Sequence, residues 1–305
     1  MSELLLSTHA LTKEYGHHKA VNHVDIHLKK GSIYGFIGRN GAGKTTFLKM
    51  ICGLSKPTSG EIEIFGYQGR DLSKIRSRVG CLIESPGLYG NMSAYDNLML
   101  KCKLFGIKKV GYIEEILKVV GLEGTEKKRA KHFSLGMKQR LGIALALVGE
   151  PDLMVLDEPI NGLDPQGIAE VRDTLLRLKE ERNMTILISS HILEELSKVA
   201  TDYGIIHNGS LLEEITNEEL MKRCSERMEL TLDEPESALP ILDVMGIINY
   251  QVIDRHHIQI YERLNDSGII NMELAKAGVP VKGITIKSEE LESYFLNMTG
   301  GVPNA

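Results

Sequence analysis

Gly38-Arg39-Asn40-Gly41-Ala42-Gly43-Lys44-Thr45, with Thr46 next, is the stretch on which the fold turns. It satisfies GxxxxGK[ST] at every fixed position, and its surroundings fit as well. Ile33-Tyr34-Gly35-Phe36-Ile37 before it reads as a buried strand, and Thr46-Phe47-Leu48-Lys49-Met50-Ile51 after it reads as a helix. Between them, glycines let the backbone wrap around phosphate oxygens with its N–H groups inward, and the helix N-terminus adds favourable potential. Gly38, Arg39, Asn40, Gly41, Ala42, Gly43, Lys44, Thr45 and Thr46 are therefore candidate nucleotide-binding residues. Lys44 would reach the β- and γ-phosphates, and the Thr45 hydroxyl would ligate Mg²⁺. A plain Gly-rich turn would explain the glycines but not the agreement of strand, loop and helix.

Further along lies Leu153-Met154-Val155-Leu156-Asp157-Glu158-Pro159. A four-residue apolar run ending in two acids reads as a buried strand with carboxylates at its C-terminal end, where parallel sheets bind ligands. Asp157 is a candidate for the Mg²⁺ shell and Glu158 for the general base that polarises a water. Around these motifs the pattern predicts strands at 3–8, 21–28, 32–37, 61–64, 79–83, 153–157, 185–189 and 203–208. Helices are predicted at 43–54, 71–77, 93–106, 111–120, 135–149, 165–182, 191–200 and 216–223. This alternation is that of an α/β sheet, with residues 86–149 as a helical subdomain inserted into it.

Composition sets the frame. The chain has 305 residues, 42% hydrophobic and 25% charged, as a folded two-domain protein would. The net charge of −5 is uneven: residues 223–305 carry 7 Lys+Arg and 13 Asp+Glu, a net of −6, leaving +1 for residues 1–222. Mild acidity argues against a nucleic-acid footprint. Cys52, Cys81, Cys102 and Cys224 form no CxxC pair, so neither a zinc site nor a disulfide framework is expected. The N-terminus lacks a signal-peptide pattern, and no apolar run approaches a membrane span. The texture changes after Lys222, giving an expected boundary between domains at 1–222 and 223–305. The tail reads as strand 227–232, helix 236–245, strands 249–254 and 257–261, helix 265–277, strand 281–286 and helix 288–298. That βαββαβ order suggests a small α+β, ferredoxin-like domain. His17, His18, His23 and His27 lack the ligand spacing of a metal site and are expected to be solvated or satisfied.

Four further segments make residues 1–222 resemble the ATP-binding subunit of an ABC transporter. Phe133-Ser134-Leu135-Gly136-Met137-Lys138-Gln139-Arg140 resembles the signature LSGGQ, and Asn161-Gly162-Leu163-Asp164-Pro165 resembles the D-loop. His191 resembles the switch histidine after its apolar strand, and Tyr15 resembles the aromatic that stacks on adenine. The resemblance implies a P-loop ATPase fold and ATP and Mg²⁺ as cofactors. It implies a dimer, head to tail, in which Ser134 and the Gly136 N–H contact the γ-phosphate held by the other subunit. Asp164 would communicate across that interface, and His191 would orient the water. The partners implied are integral membrane permease subunits, which would hold the chain on the inner face of the cell membrane from the cytoplasm.

Two departures qualify the resemblance. Leu135 and Met137 replace signature residues, although the phosphate-contacting positions remain. Glu84, within Cys81-Leu82-Ile83-Glu84-Ser85-Pro86, stands where the family usually has a glutamine that touches Mg²⁺ and the water. Glutamate here resembles the branch that exports or protects against bacitracin- and lantibiotic-type peptides, and Glu84 becomes a candidate catalytic and metal-contacting residue. The expected function is ATP hydrolysis coupled to export of a peptide antibiotic or amphipathic drug. The alternatives are a non-transport ABC switch, and an ATPase regulated by ligand binding to the tail.

Overall fold

The computed structural model describes residues 3–287 and 290–300. Its chain divides into two compact units, Met1–Asn217 and Glu218–Ala305. In the first unit the strands run β1 (Leu4–Tyr15), β2 (His18–Val24), β3 (His27–Lys29), β4 (Ile33–Ile37), β5 (Ser59–Ile64), β6 (Tyr67–Gln68), β7 (Val79–Leu82), β8 (Leu153–Asp157), β9 (Thr185–Ser190), β10 (Asp202–His207) and β11 (Ser210–Thr216). The helices are α1 (Lys44–Ile51), α2 (Ala94–Leu104), α3 (Tyr112–Val119), α4 (Leu135–Leu147), α5 (Pro165–Arg182) and α6 (Leu193–Ser197), with α7 (Asn217–Cys224) beginning at the division.

Two sheets enclose α1. The main sheet has the order β11-β10-β4-β9-β8-β7, parallel except where β11 pairs antiparallel with β10. Every residue of β4, β8 and β9 is buried, the uninterrupted pattern of parallel strands covered on both faces. The second sheet is antiparallel, β2-β1-β5-β6 with β3 also on β1. Phe47, Leu48, Met50 and Ile51 of α1 join one core with Leu6, Leu11 and Val21 from the antiparallel sheet and Phe36, Val155 and Leu187 from the parallel one. Phe36 and Phe47 stack with ring centroids 4.6 Å apart. The helix that follows the phosphate loop is thus fixed from both sides, and truncating Phe47 would cost about 3–5 kcal/mol.

Between β7 and β8, α2 to α4 form the helical stretch. Ser93 caps α2 in a reciprocal box with Asp96, and Ser134 caps α4. Arg140 ties the stretch together, donating to the Val120 and Gly121 carbonyls and pairing with Glu170 of α5 at 2.8 Å. Asp164 caps α5, with Pro165 in its first turn.

The structure departs from the sequence expectations at the edges of the sheets. β1 runs on to Tyr15 rather than ending at residue 8, because Ala10 adopts φ +46° and register shifts between Leu11 and Glu14 break the visible alternation. The single strand expected at 21–28 is two, β2 and β3. β11 was not expected at all: Glu213 and Glu214 make it look solvated. Glu214 is instead the acceptor for the Tyr34 hydroxyl at 2.6 Å and the His27 N–H at 2.8 Å. Burial, then the Glu214 carboxylate, pushes the Tyr34 phenol well above its ordinary range. The helix expected at 71–77 is a 3₁₀ segment, Gly69–Arg78.

The second unit contains β12 (Arg227–Leu232), α8 (Leu239–Val244), β13 (Tyr250–Val252), β14 (His257–Ile260), α9 (Ser267–Lys276), β15 (Val281–Lys287) and α10 (Leu291–Met298). Residues 288–289, the start of the expected 288–298 helix, lie outside the described residues. Its sheet is antiparallel with order β13-β14-β12-β15. Met228, Leu230, Leu232, Ile258 and Ile260 turn one face inward against Ala238, Leu242, Ile270 and Leu274 from the helical segments. Among the described residues no helix is long and apolar enough to cross a membrane.

Candidate active site

The loop between β4 and α1 needs glycine where its backbone turns. Gly41 and Gly43 adopt φ of +82° and +107°, and a Cβ on Gly43 would sit 2.2 Å from the Ala20 carbonyl oxygen. The loop is buttressed from below: Gly209 N–H donates to the Ala42 carbonyl at 3.0 Å. No side chain caps α1. Its first N–H groups therefore remain directed at whatever occupies the loop, an arrangement that selects anions.

Lys44 is buried, 6% exposed, and its Nζ donates to the carbonyls of Gly38 at 2.6 Å and Arg39 at 3.3 Å. The same Nζ lies 3.0 Å from Glu158 Oε1 but out of hydrogen-bonding line, so that buried oxygen accepts no hydrogen bond. Glu158 Oε2 meets His191 Nδ1 at 2.8 Å. Asp157, 3% exposed, accepts from the Thr45 hydroxyl through Oδ2 at 2.8 Å and from the Ser189 hydroxyl through Oδ1 at 2.7 Å. Glu158 itself has φ +48°, a left-handed conformation that is uncommon outside glycine and concentrates at functional sites. Lys44 and Thr45, Asp157 and Glu158, and His191, from three separate stretches of the sequence, form one connected cluster. Thr46 continues α1 beside it.

Glu84 is held by a lysine of α1. Its carboxylate meets Lys49 Nζ of α1 at 2.5 Å, not Thr45 or Asp157, and its backbone is also left-handed, with φ +64°. Tyr15, at the end of β1, presents a ring that is 53% exposed, with Lys13 Nζ 5.0 Å from its centroid. On β7, just before the Glu84 loop, the exposed Cys81 thiol is lowered to about 6 by the neighbouring Cys52 thiol and by the Lys101 and Arg76 charges.

Ser134, Gly136 and Asp164 assemble elsewhere. With Leu135, Met137 and Gly162 they line a cavity of about 510 Å³ that includes no residue of the phosphate loop. Two helices begin there. Ser134 Oγ accepts from Met137 N–H at 3.2 Å, and Asp164 Oδ1 accepts from Gly167 N–H at 3.0 Å. Gly136 is buried against Gly167, where a Cβ would approach its Cα to 3.5 Å.

Sequence reasoning missed Ser189 and Lys49. Ser189 joins the cluster through its hydroxyl and Lys49 holds Glu84, each through a side chain that has no motif; the only signal for Ser189 was a pair of serines closing an otherwise apolar strand.

Comparisons with known proteins agree with this geometry. The family model described as "ABC transporter" matches residues 21–161. The bacitracin transport ATP-binding protein BcrA of Bacillus licheniformis is 46% identical over 299 residues, 97% of this chain and 98% of the relative. The lantibiotic transport ATP-binding protein SrtF of Streptococcus pyogenes is 45% identical over 210 residues, 68% of this chain and 89% of the relative. The solved dimeric ATP-binding cassette MJ0796, in a post-hydrolysis state bound to ADP and Pi, superposes with a TM-score of 0.62 at 25% identity, covering 70% of this chain and 98% of that one. A glycine-rich loop joined to strand-end acids, in a chain 46% identical over 97% of its length to such a relative, makes this protein a member of the ATP-binding subunits of ABC transporters.

Proposed function

We propose that the chain binds and hydrolyses ATP as one of two cassettes driving a separate membrane permease, and that it exports a peptide antibiotic. The observation that carries this reading is the continuous circuit from the phosphate loop to the strand-end acids: Thr45 to Asp157, Asp157 to Ser189, Ser189 to Glu158, and Glu158 to His191 and Lys44. In this reading the N–H groups opening α1 take the phosphates, Lys44 turns from the Gly38 and Arg39 carbonyls onto the β- and γ-oxygens, and Tyr15 stacks on adenine. Glu158 Oε1, buried and without a hydrogen bond, is the acceptor left for the attacking water, while His191 holds the other oxygen. Rate enhancement then comes from positioning and from fixed charges in a largely buried site.

Thr45 and Asp157 suit Mg²⁺, since they offer a hydroxyl and a carboxylate oxygen next to the phosphates. When bound, the ion supplies neutralisation of charge developing on the phosphoryl oxygens. Glu84 reaches that shell only by leaving Lys49, whose charge otherwise compensates it. Ser134, the Gly136 N–H and Asp164 act on the nucleotide of a second copy.

Motion passes to the permease through the Glu84 loop and the helical subdomain, residues 86–149. A groove of about 410 Å³ between them is lined by Cys81, Ile83, Pro86, Tyr89, Leu100 and Leu104. Relatives named for bacitracin and lantibiotic transport support the substrate class. The chain works at the inner face of the membrane, attached through the permease. It has an ATPase domain at 1–222 and an accessory domain at 223–305. The antiparallel order β13-β14-β12-β15 and the βαββαβ sequence of elements support a ferredoxin-like class for the latter.

The groove provides the test. Because the Cys81 thiol sits at about 6, iodoacetamide should modify it readily at neutral pH and lose reactivity as pH falls through that value. Co-expression with a cognate polytopic permease subunit should shield Cys81 from alkylation and raise cellular tolerance to bacitracin. Full alkylation in the copurified complex would remove the groove as the docking site; unchanged tolerance with intact ATPase activity would remove the peptide substrate.

A further inference from the structure

Ser189 is fully buried, lies next to Asp157 in the parallel ladder between β8 and β9, and belongs to no motif. Its hydroxyl donates to Asp157 Oδ1 at 2.7 Å, and its Oγ accepts from the Glu158 N–H at 3.0 Å. We propose that Ser189 is the positioning residue for both acids, a single hydroxyl that sets the metal-facing oxygen of Asp157 and the backbone that carries Glu158. The inference rests on the ATP and Mg²⁺ reading above and goes on to name what holds that site in register.

A serine hydroxyl has one proton and two lone pairs. Here the proton is committed to Asp157 Oδ1, which fixes the carboxylate plane and leaves Oδ2 directed at the Thr45 hydroxyl, 2.8 Å away. A lone pair takes the N–H of Glu158, which also donates to the Ser189 carbonyl at 3.2 Å. That N–H belongs to a residue at φ +48°, a conformation that persists only where its surroundings over-determine it. An apolar side chain at 189 would leave Asp157 Oδ1 buried without a donor and free the carboxylate to rotate. The adjacent Ser190 does something else: its Oγ accepts from Ile192 N–H at 2.9 Å and its carbonyl accepts from Gly38 N–H at 3.2 Å, closing the turn that carries His191. Outer hydrogen bonds of this kind orient metal ligands, and their loss lowers metal affinity or activity by about 10- to 100-fold.

The experiment uses the full chain and separates nucleotide from metal. ATP binding is measured in EDTA with a fluorescent ATP analogue, and Mn²⁺ binding to the ATP-loaded protein by electron paramagnetic resonance, for wild type, Ser189→Ala and the near-isosteric Ser189→Cys. Both variants are expected to bind the analogue in EDTA as wild type does. Mn²⁺ affinity should fall about 10-fold in Ser189→Ala and less in Ser189→Cys, whose thiol is a weaker donor. Hydrolysis should lose kcat with KM for ATP unchanged. If Ser189→Ala does not fold, Ser189→Cys decides alone. Wild-type Mn²⁺ affinity in either folded variant overturns the proposal, as does equal loss of analogue binding in EDTA, which marks a purely structural role. A wild-type chain that binds neither analogue nor Mn²⁺ overturns the ATP reading itself.

Discussion

The phosphate cradle and the signature face lie in the same unit of the chain and are built in opposite ways. In the cradle, Lys44 and Asp157 are almost completely buried; Lys44 is joined to Gly38 and Arg39 in the turn after β4 and to Glu158 in the turn after β8, and Asp157 to Thr45 of α1 and Ser189 of β9. At the signature face, Ser134 and Asp164 are exposed, and each side chain hydrogen-bonds its own helix start around an open cavity. The buried Asp157 oxygens and the Lys44 ammonium are each given hydrogen-bond partners within the chain, while Glu158 Oε1 and the first N–H groups of α1 are left open. The exposed caps keep their hydroxyl and carboxylate available to something that arrives. The first region has its polar groups tied together within one chain, and the second has the open, capped helix starts that the proposed pairing with another copy would use.

The comparison breaks most visibly at Lys44. Lys44→Ala removes the buried cation on the phosphates and should weaken ATP binding about 100-fold by equilibrium titration, because charge-assisted contacts of this kind contribute about 1.5–3 kcal/mol. Retained affinity would mean that the loop does not hold phosphate. Ser134→Arg should separate the two regions: the variant binds ATP within about two-fold of wild type, but ATP no longer drives association, because the long cation overfills the cavity at the α4 N-terminus and opposes its dipole. Dimerisation of that variant by light scattering would show the face to be uninvolved. Tyr15→Ala tests the rim of the cradle and should raise the ATP dissociation constant about 10-fold, from loss of base stacking of about 1–3 kcal/mol, while affinity for inorganic triphosphate is unaffected. The smallest effect belongs to Glu84→Gln, which releases Lys49 but leaves ATP affinity within about two-fold, as expected for an exposed ion pair. A large change there would place Glu84 on the nucleotide.

The two regions were also unequally legible in the sequence. Gly38 to Thr45 could be read because loop, strand and helix must all be present for a phosphate cradle, and Asp157 with Glu158 because two acids ending a fully apolar run need a reason. The signature face became legible only by resemblance, since a capping serine and a capping aspartate are found at the start of many helices. Ser189 and Lys49 stayed hidden for a related reason: their roles are set by strand register and by the reach of one helix side chain to the loop after β7, neither of which is local. β11 was masked by its own chemistry, with Glu214 serving as an internal acceptor while looking like a solvated residue. In the tail, alternation at Met228, Leu230 and Leu232 and again at Ile258 and Ile260 was enough to foretell the elements, because each strand has one buried face.

The central claim is that the exposed signature face completes the buried cradle of a second copy around ATP. Glu158→Gln isolates it, keeping the shape of the site while removing the carboxylate proposed as the base. With ATP and Mg²⁺, size-exclusion chromatography with light scattering should show the variant as a stable dimer that retains unhydrolysed ATP, whereas with ADP it should be a monomer. A Glu158→Gln protein that stays monomeric with bound ATP, or that hydrolyses ATP at the wild-type rate, would contradict the account.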